Sequence, residues 1–122
     1  MDIEDLEVYR LSMKLILPID KLAKLVEIFD RELARNLRKT SRQIPPAIHE
    51  GFSKRSSQNE FKRFIGIAMG SSDELTTHIK QVQILQFPNI KEITCLALIE
   101  KYKVLSKMLN RLISVIKQKS DF

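Results

Sequence analysis

The sequence predicts an all-α protein: an antiparallel, up-down-up-down four-helix bundle that occupies residues 1–122 as a single domain, with prolines bending its first two helices. Three observations lead to this prediction. Glycine is scarce, with 3 residues in 122. Apolar residues recur at three- and four-residue steps over four long segments, without sustained two-residue alternation. The connections between these segments are short, so neighbouring helices should run antiparallel.

The first helix is predicted from about Glu4 to Ile28. Its apolar residues follow helical spacing: Leu6, Tyr9, Met13, Ile16, Ile19, Leu22, Val26 and Phe29. Pro18 lies inside this pattern, and we expect a bend there because a proline within a helix loses a backbone hydrogen bond and clashes with the preceding turn. The steps from Ile16 to Ile19 and from Ile19 to Leu22 are both three residues long, which indicates that the apolar stripe of this helix changes phase near Pro18.

The second helix begins near Asp30, a residue type favoured at the N-cap. Its stripe consists of Leu33, Leu37, Thr40, Ile44 and Ile48. The periodicity continues through Pro45 and Pro46, which favours a bent or interrupted helix. Because residues before prolines are disfavoured in helical conformation, a separate short helix after them stays open as an alternative. Gly51 is predicted to end the helix as its C′ residue.

The third helix has the clearest start signal, since Ser57 and Glu60 have the spacing of a reciprocal capping box. Its stripe consists of Phe61, Ile65, Ala68, Ser72, Leu75, Ile79 and Val82. Gly66 and Gly70 lie on a neighbouring face, and two glycines within a helix cost about 2 kcal/mol relative to alanine. We therefore expect another backbone, such as that of a second helix, to approach them closely.

The fourth helix is predicted from about Lys91 to Lys117, after a turn at Phe87-Pro88-Asn89. Its stripe has 4-3-4-3-4 spacing and consists of Leu98, Tyr102, Leu105, Leu109, Leu112 and Ile116. Further apolar residues widen this face: Ile99, Met108, Ile113 and Val115. This width predicts contact with more than one neighbour, either within the bundle or in another subunit. Lys117 and Lys119 suit a helix C-terminus.

Composition restricts the function. No run of about 18 apolar residues is present, so no membrane span is predicted. The single cysteine, Cys95, cannot form an internal disulfide, and this favours the cytoplasm. The sequence has no phosphate-binding glycine loop, dinucleotide fingerprint or nucleophile elbow. Glu74 and His78 could share a metal, but pairing across one helical turn is favoured. We predict no cofactor, no metal and no catalytic residues.

Positive charge is concentrated in one part of the chain. The net charge is +6, and residues 31–63 hold nine basic and three acidic side chains, an excess equal to that of the whole chain. Such a cluster indicates a polyanionic partner, usually nucleic acid, against the alternative of a solvated helix face. The predicted nucleic-acid-binding residues are Arg31, Arg35, Arg38, Lys39, Arg42, Lys54, Arg55, Lys62 and Arg63.

The predicted mode of binding is contact with the nucleic-acid backbone or shape, without base reading. Aromatic residues that could stack on bases are few. Phe52 is the one near the basic segment that we predict to be exposed, whereas Phe61 and Phe64 are assigned to the core.

Two alternative functions stay open. Arg42 and His49 have six residues between them. Compact helical RNases of the HEPN type carry an arginine and a histidine at similar separation, where the arginine would stabilise phosphate charge and the histidine would transfer protons. Gln43 and the two prolines do not match that pattern. The other alternative is a structural homo-oligomer whose charge only keeps it soluble.

Three segments together resemble a bacterial protein family. Residues 5–9, DLEVY, are similar to its DLxVW opening, and residues 44–52, IPPAIHEGF, to its IPANIAEGF segment. Residues 55–75 resemble RSxxEFxRFLxIAxGSxxEL. This is the four-helix bundle family of 23S rRNA intervening-sequence proteins, to which the accessory variability proteins of diversity-generating retroelements are similar. The chain departs from the pattern at Tyr9, Pro46, Ala47 and His49, where the family has tryptophan, alanine, asparagine and alanine.

The resemblance implies a basic bundle that assembles as a ring, commonly a homopentamer, without enzymatic activity. The retroelement branch implies binding to nucleic acid and to a reverse transcriptase. The ribosomal branch implies genes within large-subunit rRNA insertions. It also implies that the proline segment continues the second helix with a bend. The resulting prediction is a non-catalytic, self-assembling cytoplasmic protein that binds RNA or DNA through residues 31–63.

Overall fold

The computed structural model describes the backbone of residues 1–120 and the side chains of residues 1–116. A short 3-10 turn at Ile3–Asp5 precedes the helices, which are α1 (Glu7–Lys14), α2 (Ile16–Glu27), α3 (Arg31–Ser53), α4 (Gln58–Leu85) and α5 (Glu92–Ser120). Since α1 and α2 follow each other as one arm, the predicted four-helix bundle is confirmed. Within the described residues, no helix is both long and apolar enough to cross a membrane.

Neighbouring helices are antiparallel, and α3 and α4 form the centre of the bundle. At one end, Gly51 of α3 lies against Phe64 of α4. At the other end, Leu33 of α3 shares a cavity with Leu85 of α4. Because α3 also packs against α2, and α4 against α5, the two central helices set the positions of the outer ones.

The first arm is interrupted at Leu15, three residues before Pro18, as predicted. The predicted stripe is wrong in its first half, because the buried residues of the arm are Val8, Ser12, Leu15, Ile19, Leu22, Ala23 and Val26. Ser12 hides this pattern in the sequence, since a polar residue occupies a core position. Its hydroxyl donates a hydrogen bond to the Tyr9 carbonyl at 2.8 Å, so the buried hydroxyl has a partner within its own helix. The buried series therefore runs without a phase shift.

Tyr9, Met13 and Ile16 consequently lie outside the core stripe. Tyr9 and Ile16 are half-buried and Met13 is exposed. At the far end of the arm, the predicted core residue Phe29 is also largely exposed and stacks on Phe87, with ring centroids 5.5 Å apart. The arm thus presents a second apolar series that lies outside the core, except for Tyr9, which packs against its edge.

Helix α3 passes through Pro45 and Pro46 without interruption, so the alternative of a separate short helix is wrong. Ile44 and Ile48 are fully buried on either side of the prolines. Their burial offsets the backbone hydrogen bonds that the two prolines cannot donate.

Gly51 does not end α3, which continues to Ser53. A Cβ atom at Gly51 would lie 3.0 Å from the Phe64 Cβ and 3.3 Å from the Phe61 carbonyl oxygen. The glycine is therefore needed for the close crossing of α3 and α4, not for a turn.

At the start of α4, one of the two hydrogen bonds of the predicted capping box is present. The Ser57 hydroxyl accepts a hydrogen bond from the Glu60 N–H at 3.3 Å. The Glu60 side chain does not reach back, since its carboxylate accepts a 2.9 Å hydrogen bond from Arg63 instead. Apart from the helix's own backbone and the chain neighbours, no atom of the described residues lies within 4 Å of a Cβ built at Gly66 or Gly70. The expected close approach to these glycines therefore does not occur within the described chain, because both lie on the outer face of α4.

The predicted stripes of α4 and α5 otherwise form the core. On α4, Phe61 is half-buried and the other six residues are buried. On α5, Leu112 is half-buried and the other five are buried. The outer edge of the α5 face stays open, with Val104 and Val115 both exposed. The side chains of Lys117 and Lys119 lie outside the described residues.

Candidate nucleic-acid interface

Five of the nine predicted basic residues lie on one face of α3. Asp30 starts the helix by accepting the Leu33 N–H at 3.0 Å, which sets the orientation of every following residue. With 3.6 residues per turn, the buried positions Leu37 and Ile44 then point inward and the basic positions point to solvent beside α2. This face, called the α3 stripe, consists of Arg31, Arg35, Arg38, Lys39 and Arg42.

Two residues of the α3 stripe are paired with carboxylates of α2. Arg38 Nη1 donates to Glu27 Oε1 at 2.7 Å. Arg42 Nη2 donates to both oxygens of Asp20, at 3.0 Å and 2.8 Å. Among the described residues, no carboxylate lies within ion-pair distance of the other three cations: Arg31, Arg35 and Lys39. The stripe therefore retains three neighbouring cations that are not neutralised.

An open groove borders the beginning of the stripe, where α2 ends and α3 starts. It has a volume of about 670 Å³ and is lined by Glu27, Ile28, Arg31, Arg35 and Arg38. Three guanidinium groups thus face one carboxylate. Guanidinium groups bind phosphate oxygens with paired N–H donors, so this groove suits a phosphate chain.

The other basic residues gather about the α3–α4 turn, where Lys54, Arg55 and Arg63 form the turn cluster. The Arg55 guanidinium carbon lies 4.0 Å from the centre of the Phe52 ring. Phe64 carries two cations, with Lys54 Nζ at 5.0 Å and the Arg63 guanidinium carbon at 4.3 Å from its ring centre. Each cation of the turn cluster is therefore in contact with an aromatic ring.

Local carboxylates engage two cations of the turn cluster as well. Lys54 Nζ lies 3.1 Å from Glu50 Oε2. Arg63 donates from Nε to Glu60 Oε2 at 2.9 Å. This hydrogen bond lowers the pKa of Glu60 and raises the pKa of Arg63, because it stabilises both charged forms.

Eight of the nine predicted residues consequently form two separate surfaces and not one continuous surface. Arg31 and Lys54 stand at opposite ends of α3, about 35 Å apart along the helix at its ordinary rise per residue. Lys62 is half-buried on α4. The distance follows from α3 being one continuous helix, whereas a chain reversal at the prolines would have brought the two groups together.

The aromatic assignments of the sequence differ from the structure. Phe52 is 6% exposed beneath Arg55, so it is not the exposed stacking residue that was predicted. Phe61 and Phe64 are half-buried and not full core residues. Phe52 is buried because α3 continues beyond Gly51, which keeps its ring on the inner side of the helix.

A second groove, which the sequence did not reveal, adjoins the Arg42 end of the stripe. It has a volume of about 260 Å³ and is lined by Tyr9, Met13, Ile16, Arg42, Pro45, Pro46 and His49. The rings of Tyr9 and His49 meet edge to face, with centroids 6.2 Å apart and planes at 74°. We call it the Tyr9–His49 groove. The signal that could have indicated it is the second apolar series on the first arm, which we assigned to the core.

Glu74 and His78 pair with each other, as favoured from their spacing. His78 Nε2 lies 3.4 Å from Glu74 Oε2, and the same oxygen accepts the Thr40 hydroxyl at 3.1 Å. No group of three or more metal-ligating side chains of the usual kinds occurs within the described part of the chain. The pair therefore has a structural explanation, as a link between α3 and α4.

Comparison with known proteins gives one finding on the family. The family described as 23S rRNA-intervening sequence protein matches residues 4–111. The match includes the whole of α3 and α4, and with them the stripe, the turn cluster and the Tyr9–His49 groove. No curated protein matches the chain.

Proposed function

The chain belongs to the family of 23S rRNA-intervening sequence proteins, and from this premise we propose that it is a non-catalytic, self-assembling bundle that binds RNA or DNA along its α3 stripe. One observation carries the proposal. Arg31, Arg35 and Lys39 follow one another at single-turn intervals, exposed to solvent and without carboxylate partners among the described residues. Such a row can contact several phosphates of one strand at the same time.

Binding through this row should be insensitive to sequence and sensitive to salt. Contacts to phosphate oxygens fix the position of a nucleic acid but do not distinguish bases. Every phosphate that a cation neutralises releases a counterion, so affinity falls as the salt concentration rises. The groove beside Arg31 and Arg35 adds a concave surface against which the strand can lie.

Self-assembly is supported by apolar side chains that remain exposed at one end of the bundle. Around the α2–α3 and α4–α5 connections, Ile28, Ile84 and Ile93 are 74%, 79% and 70% exposed. Leu85 and Phe29 continue the same surface, called the apolar end. Concentrated apolar exposure of this kind marks protein interaction sites. On the similarity expected between this family and the accessory proteins of retroelements, we extend the proposal to a homopentamer and to a reverse transcriptase as protein partner.

A ribonuclease is the second candidate function, and one observation favours it. Arg42 and His49 line the same groove, as an arginine–histidine site would require. Against it, the Arg42 guanidinium is held by both oxygens of Asp20, which compensates the charge that would stabilise a phosphorane-like transition state. A His49→Ala protein that cleaves RNA as fast as the parent would exclude this candidate.

Fluorescence anisotropy with generic RNA and DNA strands tests the main proposal. We expect binding at low salt and a steep loss of affinity between about 50 and 200 mM salt. No binding at low salt would contradict it. Light scattering tests the assembly, for which we expect a mass of several subunits. A monomer at micromolar concentration would contradict the self-assembly part alone.

A further inference from the structure

We propose that the Tyr9–His49 groove receives an unpaired base of a strand whose phosphates lie along the α3 stripe. Single-stranded nucleic acid is then the preferred ligand class. The inference rests on the proposed function and extends it from the nucleic-acid backbone to the base.

The walls of the groove suit a flat heteroaromatic ring. Tyr9 and His49 meet edge to face, and since His49 is exposed and Tyr9 half-buried, part of their aromatic surface is open to a stacking partner. Met13, Ile16 and Pro46 supply apolar surface that the bundle core does not use. Unpaired bases bind proteins mainly by stacking on tyrosine, histidine, phenylalanine, tryptophan or arginine. The groove contains three of these residue types.

Arg42 connects the groove with the stripe, because it lines the first and belongs to the second. Pro46 and His49 follow it by about one and two turns on the same face of α3. Both oxygens of Asp20 bind only Nη2 of Arg42. The N–H groups on Nε and Nη1 therefore remain available to a phosphate next to the inserted base.

Charge and shape together favour an unpaired base over other occupants. The row of cations beside the groove, whose nearest member Lys39 has no carboxylate partner among the described residues, attracts a polyanion and not a neutral apolar peptide. A base within a duplex is stacked and paired, so its ring face cannot enter a groove. Stacking accepts any base, since every base has a π face, and sequence preference should stay weak.

The experiment compares three labelled DNA ligands of equal length by anisotropy: oligothymidylate, a strand of abasic residues and a duplex. We expect oligothymidylate to bind about tenfold more tightly than the abasic strand, the effect of one stacked base. It should also bind more tightly than the duplex. In His49→Ala, we expect the preference over the abasic strand to fall to twofold or less, by the same stacking estimate.

His78→Ala is the matched control, because it removes the other histidine, which lies on α4 against Glu74. It should retain the full preference. Tyr9→Leu, which keeps apolar volume but removes the ring, provides a second test that does not depend on His49. Equal affinity for oligothymidylate and the abasic strand would overturn the base site and leave the backbone proposal intact. Binding to none of the three ligands would overturn both.

Discussion

The α3 stripe and the turn cluster are both basic, but their cations have different surroundings. In the stripe, carboxylates come from α2 across the helix interface and engage only Arg38 and Arg42. In the turn cluster, every cation lies over an aromatic ring, and two also meet a carboxylate on their own helix. Similar formal charge therefore gives one surface with free cations and one whose cations are already engaged.

The α3 stripe and the turn cluster therefore differ in the charge that is available to a ligand, although the sequence gives both a similar formal charge. A phosphate that binds the turn cluster must displace contacts that its cations already make with rings and carboxylates. A phosphate that binds Arg31, Arg35 or Lys39 displaces only water and counterions. Affinity for nucleic acid should therefore depend mainly on the stripe, although both surfaces were predicted from the same basic segment.

The largest expected effect comes from reversing the charges of each surface separately. One variant combines Arg31→Glu, Arg35→Glu and Lys39→Glu. The other combines Lys54→Glu, Arg55→Glu and Arg63→Glu. Either set takes the net charge from +6 to zero, so the two variants are matched in total charge. At about 50 mM salt we expect roughly a thousandfold loss of affinity for the stripe variant, since each lost phosphate contact costs about tenfold.

For the turn-cluster variant we expect a loss of affinity of about tenfold. This variant loses the long-range attraction that the net charge exerts on the nucleic acid, but it keeps the phosphate contacts of the stripe. Anisotropy with one RNA strand measures both variants, and circular dichroism checks that each keeps its helices. Equal losses would show that net charge alone decides affinity, and the distinction between the surfaces would then be wrong.

The second effect concerns the support beneath the turn cluster. Gly51→Leu places a side chain where a Cβ would already lie 3.0 Å from the Phe64 Cβ. We expect the free energy of unfolding to fall by about 2 kcal/mol through overpacking. Gly66→Leu is the matched control: beyond its own helix, no atom of the part of the chain that the structure describes lies within 4 Å of its Cβ position, and leucine in place of glycine should stabilise the helix by up to about 1 kcal/mol.

Urea denaturation measures both glycine variants. The folded Gly51→Leu protein should bind RNA within about twofold of the parent, because the stripe is remote from the crossing and keeps its phosphate contacts. A Gly51→Leu protein as stable as Gly66→Leu would show that the α3–α4 crossing tolerates a side chain.

A smaller effect is expected from removing carboxylates instead of cations. Asp20→Asn together with Glu27→Gln releases Arg42 and Arg38 from their partners. We expect affinity for RNA to rise about fivefold at low salt, because two more cations reach phosphates. Glu50→Gln with Glu60→Gln raises the net charge equally but acts at the turn cluster, where we expect a gain of less than about twofold. A larger gain in this control would contradict the primary role of the stripe.

The fold was largely predictable because burial follows periodicity. The apolar spacing of α3 continues through Pro45 and Pro46, and that continuity correctly predicted helix where local rules disfavour it. On the first arm the same reasoning failed, since Ser12 is fully buried in the core whereas Tyr9 only packs against its edge. A helical stripe is assigned from the positions of the apolar residues in the sequence. A buried serine whose hydroxyl donates to a backbone carbonyl of the same helix is therefore placed on the polar face.

The arrangement of the candidate site was less predictable, because it depends on contacts between helices. The pairing of Arg42 with Asp20 is set by the register of α2 against α3, which the sequence of either helix does not encode. The burial of Phe52 depends on where α3 ends. The two-part division of the basic segment likewise follows from the continuation of α3 through its prolines, and not from any property of the basic residues.

The smallest effect tests directly whether the turn cluster is engaged, through the pKa of Glu60. The hydrogen bond from Arg63 lowers this pKa below its ordinary value, with a smaller contribution from the charge of Lys54. A carboxyl group whose pKa is lower in the folded state contributes stability above its unfolded-state pKa. That contribution is lost as the pH falls through the folded-state pKa, in the acidic range.

We expect Arg63→Gln to raise the pKa of Glu60 towards its ordinary value and Lys54→Gln to raise it less, as measured by NMR titration of the side-chain carboxyl carbon. Because both partners are exposed, added salt should also reduce the shift. An unchanged pKa in Arg63→Gln would mean that Arg63 does not hold Glu60 in solution, and that this cation is as free for phosphate as those of the stripe.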